Sequence, residues 1–288
     1  SNRLVAEPYV KRVVAFLGGA QAAALVVTSL TVARSLGLDD GALFVWSAAS
    51  AKEVWYPMAR PELWRSLGIE AAGSAALAAA GIGVGDISAF DLYSCFPSAV
   101  QIAAASLGLP IDVDRPEEIR RLTVTGGLPY FGGPGNNYTM HAIATLFDRF
   151  RADGDPAAAG LVTAVGWYLT KHAVGVYGTS PKAGGFLVGD TTAAQEQIDT
   201  SALPRVEMAD GVSSLATVDA STVLYDREGE PVAAPVIATL DDGRRVAAAA
   251  GDGEAKAVAG TFLVGARVHV EAAPGEQNAP RYRLVDES

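Results

Sequence analysis

Apolar positions in the first two thirds of the chain switch between two kinds of spacing. Stretches with apolar residues at helical spacing predict helices, and these stretches are 20–37, 66–80, 97–107 and 138–151. Short runs rich in apolar, β-branched and aromatic residues predict strands, and these runs are 42–48, 86–93, 160–166 and 172–189. Because strands alternate with helices, the sequence predicts an α/β layer with helices on both faces of a sheet.

The spacing changes near residue 190. Residues 190–210 are polar and predict a linker. Beyond them come five short alternating runs, separated by turn signals such as Asp241-Asp242-Gly243, and each run predicts a strand. Five short strands in a segment of this size predict a small, OB-like β-barrel. The sequence therefore predicts two domains, 1–189 and 190–288.

Charge is concentrated in the second predicted domain. Residues 190–288 carry 17 acidic and 8 basic side chains, which accounts for −9 of the net charge of −10. A protein that binds nucleic acid must meet the phosphate backbone with lysine and arginine. The charge therefore predicts that nucleic acid is not a partner.

Histidine and cysteine are scarce. The single cysteine, Cys95, excludes an intramolecular disulfide, so a reducing, cytoplasmic location is expected. The three histidines are scattered without metal-ligand spacing, so no metal is expected. His141 lies one turn into its predicted helix, and we expect its side chain to be packed rather than catalytic. No uncharged apolar run of about 18 residues predicts a membrane span.

Four blocks of sequence carry a resemblance to a known family. They are Asn-Arg at 2–3 with Pro-Tyr at 8–9, Asp-Leu-Tyr-Ser-Cys-Phe at 91–96, the glycine-rich loop at 126–134, and Lys-His-Ala-Val-Gly at 171–175. In this order and spacing they resemble the second half of the thiolase superfamily, most of all the sterol-carrier-type thiolases. The resemblance implies an α/β protein: the C-terminal half of a thiolase fold, with a mixed sheet and helices on both faces, followed here by the OB-like barrel.

The resemblance also implies a chemistry. A thiolase forms an acyl-cysteine and makes or breaks a carbon–carbon bond next to a thioester. Its nucleophilic cysteine belongs to the N-terminal half of the fold, so an N-terminal half of the same protein is an expected partner. Acyl-CoA is the expected ligand in lipid metabolism, with coenzyme A as cosubstrate and no permanently bound cofactor. The oligomeric state stays open.

Carried over residue by residue, the family's catalytic positions fall on Tyr93, Cys95 and His172. Tyr93 stands where the family stabilises an oxyanion with asparagine or histidine, and Cys95 matches the cysteine of His-Asp-Cys-Phe. Each of the three also has an alternative interpretation as a packed or strand-end side chain. The residues expected to line the substrate are Phe96, Gly132, Gly133, Pro134, Asn136 and Asn137.

Gly133 departs from the family pattern. It falls where the family has the histidine of Gly-His-Pro, which lowers the pKa of the nucleophilic cysteine, and glycine cannot do this. Three functions therefore stay open. They are an acyltransferase of the acetyl-CoA acetyltransferase type, an acyl-CoA-binding protein without turnover, and a thiolase-like aldol lyase acting on β-hydroxyacyl-CoA.

The charge of residues 190–288 provides a first test. We expect no measurable binding of single-stranded DNA at physiological salt, because OB-folds that bind oligonucleotides use basic grooves and exposed aromatic side chains. A gel-shift assay measures this, with a known single-strand-binding OB protein as the positive control. A retarded DNA band at physiological salt would contradict the expectation.

Overall fold

The computed structural model describes residues 2–112, 114–115, 117, 122–206, 211–251, 253–272 and 279–285. Contacts divide the chain into two compact units. The first comprises Ser1–Lys11, Val54–Leu63 and Ser201–Ser288, and the second comprises Arg12–Glu53 and Trp64–Thr200. The predicted boundary between residues 189 and 190 stays a prediction of domain organisation. No helix formed by the described residues combines the length and the apolar character that crossing a membrane requires.

Helices and strands follow one another along both units of the chain. The α-helices are α1 Leu30–Ser35, α2 Leu67–Ala80, α3 Pro97–Leu107, α4 Leu128–Phe131, α5 Tyr138–Asp153, α6 Thr192–Thr200 and α7 Ala255–Val258. The strands are β1 Leu4–Ala6, β2 Tyr9–Val10, β3 Phe44–Lys52, β4 Ala89–Asp91, β5 Ala159–Gly166, β6 Lys171–Gly178, β7 Leu187–Val188, β8 Ser213–Ser221, β9 Leu224–Tyr225, β10 Pro231–Ala233, β11 Pro235–Leu240, β12 Arg245–Ala250, β13 Arg267–Glu271 and β14 Arg281–Leu284. Short 3-10 helices cover Lys11–Val13, Pro57–Ala59, Val84–Asp86 and Gly135–Asn137.

The second unit is built on a five-stranded mixed sheet in the order β4-β5-β6-β3-β7. Strand β4 runs parallel to β5, and β6 runs antiparallel to both β5 and β3. Helices α2 and α3 share one apolar core with the sheet, and α5 forms a second core. Because successive side chains of a strand point to opposite faces, the two cores lie on opposite faces, which confirms the predicted mixed sheet with helices on both.

Capping signals explain where the helices of the sheet begin and end. The hydroxyl of Ser66 accepts a hydrogen bond from the Ile69 amide at the start of α2, and Gly81 ends this helix with φ of +64°. Helix α3 begins at Pro97, where the missing N–H of proline costs no helical hydrogen bond. Both predictions, 66–80 and 97–107, are confirmed within one residue.

Two predictions made from apolar spacing and polarity are wrong. The helix predicted over 20–37 is limited to α1, because residues 21–29 have no helical hydrogen bonds and the Ser29 hydroxyl caps the helix only at residue 30. The linker predicted over 190–210 contains helix α6, whose Ile198 is buried. Residues 207–210 of that linker lie outside the described residues.

The first unit contains a closed five-stranded barrel with neighbours in the order β11-β12-β14-β13-β8. Every pair in it is antiparallel except β12 with β14, and alternate side chains fill the interior with a separate apolar core. The buried Arg245 is neutralised by Asp219, with 3.1 Å between Nε and Oδ2. A second, small sheet joins β10, β9, β1 and β2. The predicted β-barrel is therefore confirmed.

Candidate functional site

A buried carboxylate anchors the loops that the sequence singled out. Strand β4 ends at Asp91, whose side chain has no exposed surface. Its Oδ1 accepts a 2.9 Å hydrogen bond from the Tyr138 hydroxyl, and its Oδ2 accepts bonds of 3.1 Å from the Thr123 hydroxyl and the Val124 amide. One side chain thus joins the end of β4 to both the entry and the exit of the glycine-rich loop.

Burial shifts the pKa values of Asp91 and Tyr138. Removal from water raises the pKa of Asp91, and the hydrogen bonds from Val124, Tyr138 and Thr123 offset part of that rise. Burial also raises the pKa of Tyr138, and the neighbouring negative charge of Asp91 raises it further. Tyr138 therefore stays protonated at neutral pH and can keep donating to the carboxylate.

Tyr93 and Cys95 follow directly on this anchor. The Tyr93 amide donates to the Thr163 hydroxyl at 2.8 Å, and its ring meets the Tyr138 ring edge-on with 5.7 Å between centroids. Both Tyr93 and Cys95 pack against the apolar core formed with α5. Burial raises the pKa of the Tyr93 phenol and that of the Cys95 thiol. Both groups are therefore neutral near pH 7, so the phenol can donate a hydrogen bond while the thiol is a weak nucleophile.

The glycine-rich loop passes through backbone conformations that require glycine. Gly132 has φ of +112°, and a Cβ on it would meet the Gln21 side chain at 2.8 Å. Gly133 is buried, and its amide donates to the carbonyl of Phe16 at 2.7 Å. The loop backbone at Gly133 is therefore already paired with another part of the chain.

Residues 15–21 form a strap across both loops. The Ala15 amide donates to the Cys95 carbonyl at 2.9 Å, and the Phe16 amide donates to the Leu128 carbonyl at 3.3 Å. Further along, the Gln21 side-chain amide donates to the carbonyl of Phe131 at 2.6 Å. The strap thus binds the loop that carries Cys95 to the loop that carries Gly133.

The remaining predicted lining residues are partly or fully exposed. Phe96 precedes α3 and is 41% exposed, Pro134 is half-buried, and Asn136 is exposed. Asn137 precedes α5 without a capping bond from its side chain, which lies instead 3.2 Å from His141 Nε2. His141 is buried edge-on against the Phe131 ring, as the packing prediction expected.

His172 lies apart from the other predicted catalytic residues. It lies two residues before Val174 on β6, and residues two apart on a strand point to the same face. Val174 belongs to the core formed with α2 and α3, so His172 points to the face opposite α5. There its Nε2 lies 3.3 Å from the Ser66 hydroxyl, which also donates to Glu53 at 2.7 Å. The structure therefore brings Tyr93, Cys95 and the glycine-rich loop together and places His172 in a separate buried cluster at the start of α2.

Motif matching missed the residues that hold the site in place. The sequence offered one signal for Asp91: it ends a short apolar run that predicts a buried strand. A buried aspartate almost always has hydrogen-bond or charge partners, so such partners could have been expected here. Tyr138 and Gln21 gave none, because their partners are far along the chain. Among the described residues, no group of three or more histidine, cysteine or acidic side chains could hold a metal ion.

The Asp91 anchor predicts a pH-dependent loss of stability in Tyr138→Phe. The pKa of Asp91 is higher in the folded chain than in the unfolded chain, so protonated Asp91 favours the folded state. The folded state therefore loses this stabilisation as pH rises through the folded pKa. The Tyr138 hydroxyl lowers that pKa, so its removal should cost about 2 kcal/mol of unfolding free energy where Asp91 is ionised and about 1 kcal/mol where it is protonated. Urea unfolding over a pH series that runs from below the usual pKa of an aspartate to pH 8 measures both values. Tyr130→Phe, at a ring that is 77% exposed, is the control, and an equal loss at every pH would contradict this account.

The raised pKa of Cys95 predicts slow alkylation. Because Cys95 is the only thiol of the chain, its iodoacetamide rate can be followed without interference. We expect the rate to reach half its maximum at a higher pH than for a cysteine peptide measured in parallel, because burial disfavours the thiolate. A midpoint below that of the peptide would instead identify an activated nucleophile.

Comparison with known proteins agrees with this geometry. Residues 194–274 match the thiolase-like protein type 1 additional C-terminal domain. A monomeric SCP2-thiolase like protein type 1 from Mycobacterium smegmatis is 31% identical with a TM-score of 0.80, over 99% of this chain and 59% of its own. Human mitochondrial 3-ketoacyl-CoA thiolase is 17% identical with a TM-score of 0.42, over 53% of this chain and 34% of its own.

The comparison with curated proteins gives no match. This chain spans about three fifths of the length of the mycobacterial protein, and the similarity extends over almost all of this chain. It includes the sheet, the two loops and the barrel. These similarities support a thiolase-superfamily protein that carries an added C-terminal domain.

Proposed function

We propose that this chain provides an acyl-CoA-binding site that holds a thioester without activating a thiol of its own. One observation carries the proposal: where thiolases place their activating histidine, this chain has Gly133, buried beneath the strap with its amide bonded to Phe16. The chain's only thiol, Cys95, has a raised pKa. A site of this kind supports binding better than it supports acyl transfer.

Tyr93 is the residue that we propose to contact the thioester. Its phenol has a raised pKa and stays protonated, so it can donate a hydrogen bond to a thioester or enolate oxygen. Phe96 and Pro134 border the same loops and would contact the acyl part of the ligand. Coenzyme A would enter and leave with the ligand rather than stay bound as a cofactor.

Acyl transfer by the whole protein, as part of lipid metabolism, is the second candidate. It requires a nucleophile from another polypeptide segment, for which a thiolase-type N-terminal half is the proposed source. The exposed stretch 18–29 supports such a partner, because it forms no helix or strand, lies outside the three sheets of the described residues, and leaves Val26 and Val27 largely exposed. Exposed apolar side chains of this kind are suited to contact with another polypeptide segment.

Titration calorimetry with the full chain tests the first proposal. We expect acetoacetyl-CoA and β-hydroxyacyl-CoA to bind, and we expect the chain alone to release no cleavage product from either, as followed by chromatography of the CoA esters. Tyr93→Phe should weaken thioester binding about tenfold by removing the donated hydrogen bond. Its affinity for free coenzyme A should stay unchanged.

Tyr168→Phe is the matched control, because it removes the same hydroxyl from a ring that is 71% exposed and distant in sequence from both loops. Thiolysis of acetoacetyl-CoA by the chain alone would overturn the proposal in favour of a transferase, and cleavage of β-hydroxyacyl-CoA alone would favour an aldol lyase. Failure of every CoA ester to bind would reject an acyl-CoA site altogether.

A further inference from the structure

We propose that the strap, residues 15–21, is the acyl-chain wall of the candidate site, and that Leu17 occupies the space of the family's activating histidine. This inference rests on the proposed acyl-CoA binding and adds to it a class of substrate: acyl groups longer than acetyl. Three features of the structure support it: the anchoring of the strap, the position of Leu17, and the apolar side chains around Leu17.

The strap is fixed to the site at several points. Ala15 and Phe16 donate backbone hydrogen bonds to the carbonyls of Cys95 and Leu128, while the Phe16 carbonyl accepts from Gly133. Beside Ala15, the side chain of Val14 is buried and fastens the strap to the unit. Hydrogen bonds to two separate loops give the strap a defined position, so its side chains form a fixed wall rather than a passing contact.

Leu17 lies next to the place where a side chain at position 133 would begin. A Cβ built on Gly133 would lie 3.3 Å from Leu17 Cδ2, 3.4 Å from Leu128 Cδ2 and 3.4 Å from the Phe16 carbonyl oxygen. A branched alkyl group therefore borders the place from which the family's imidazole would extend. A histidine at this place would activate a thiol, whereas the side chain of Leu17 offers an apolar surface for an acyl chain.

The side chains around this point share an apolar character. Phe16 is 52% exposed and Leu17 is 76% exposed, and Phe96 follows the Cys95 carbonyl that binds the strap. Exposed large apolar side chains grouped beside a candidate site indicate a ligand groove. An alkyl chain fits such a rim because every buried methylene gains favourable transfer free energy.

The pairing of Gly133 restricts what else the loop can contact. Since the Phe16 carbonyl accepts its N–H, that donor is not offered to a ligand oxygen while the strap is in place. The polar end of the thioester is then left to Tyr93, and the strap contacts the hydrocarbon end. The two ends of one ligand are thus recognised by different residues, which makes their contributions separable by mutation.

Binding of acetyl-, hexanoyl- and decanoyl-CoA to the full chain tests the inference. We expect the affinity to rise with chain length, and we expect Leu17→Ala to weaken decanoyl-CoA binding about tenfold. The same variant should change acetyl-CoA binding by less than about twofold. Phe16→Ala should act in the same direction on the longest chain.

Leu36→Ala is the matched control, because it removes the same atoms from a 63% exposed leucine at the end of α1, outside the strap. Thermal unfolding should show that all three variants are folded. If CoA esters bind but chain length has no effect, or if Leu17→Ala weakens every ester equally, the wall is overturned while acyl-CoA binding stands. If no ester binds to the unmodified chain, both proposals fail.

Discussion

One buried carboxylate determines the geometry on which the rest of the candidate site depends. Asp91 has no exposed surface and accepts hydrogen bonds from both ends of the glycine-rich loop. Removing a carboxylate from water is costly unless hydrogen bonds replace its hydration. Because Tyr138 and the backbone of Val124 supply those bonds, the end of β4, the loop and the start of α5 can shift only together.

This anchoring also limits the chemistry available to the loops. Tyr93 and Cys95 follow the anchor into apolar surroundings, where burial raises the pKa of each. The strap pairs the Gly133 amide from the other side. The Tyr93 phenol and the Cys95 thiol stay protonated, and the Gly133 amide is already paired. These conditions suit the binding of a neutral thioester better than the formation of a thiolate. The proposed absence of an activating histidine at position 133 agrees with these two features of the loops.

Local signals predicted the elements that carry these loops, and they failed where the decisive contacts are distant. The caps of α2 and α3 lie within a few residues of the helices they begin, and both helices are confirmed. The alanine- and valine-rich stretch at 20–29 satisfies helical spacing, yet it is extended up to the Ser29 cap. Its conformation is connected to the Gln21 bond with Phe131, which no local pattern encodes.

The candidate site shows the same division in its residues. The structure brings Tyr93, Cys95 and the glycine-rich loop together and turns His172 to the opposite face of the sheet. The family motif does not show this division, because the face depends on strand parity and packing. The sequence likewise shows that position 133 has no side chain, without showing what fills the space. In the fold, Leu17 and the Phe16 carbonyl lie within 3.4 Å of the place where a Cβ at this position would be. A glycine in this place therefore leaves no open space beside it, because neighbouring groups of the strap and of the loop pack against its Cα.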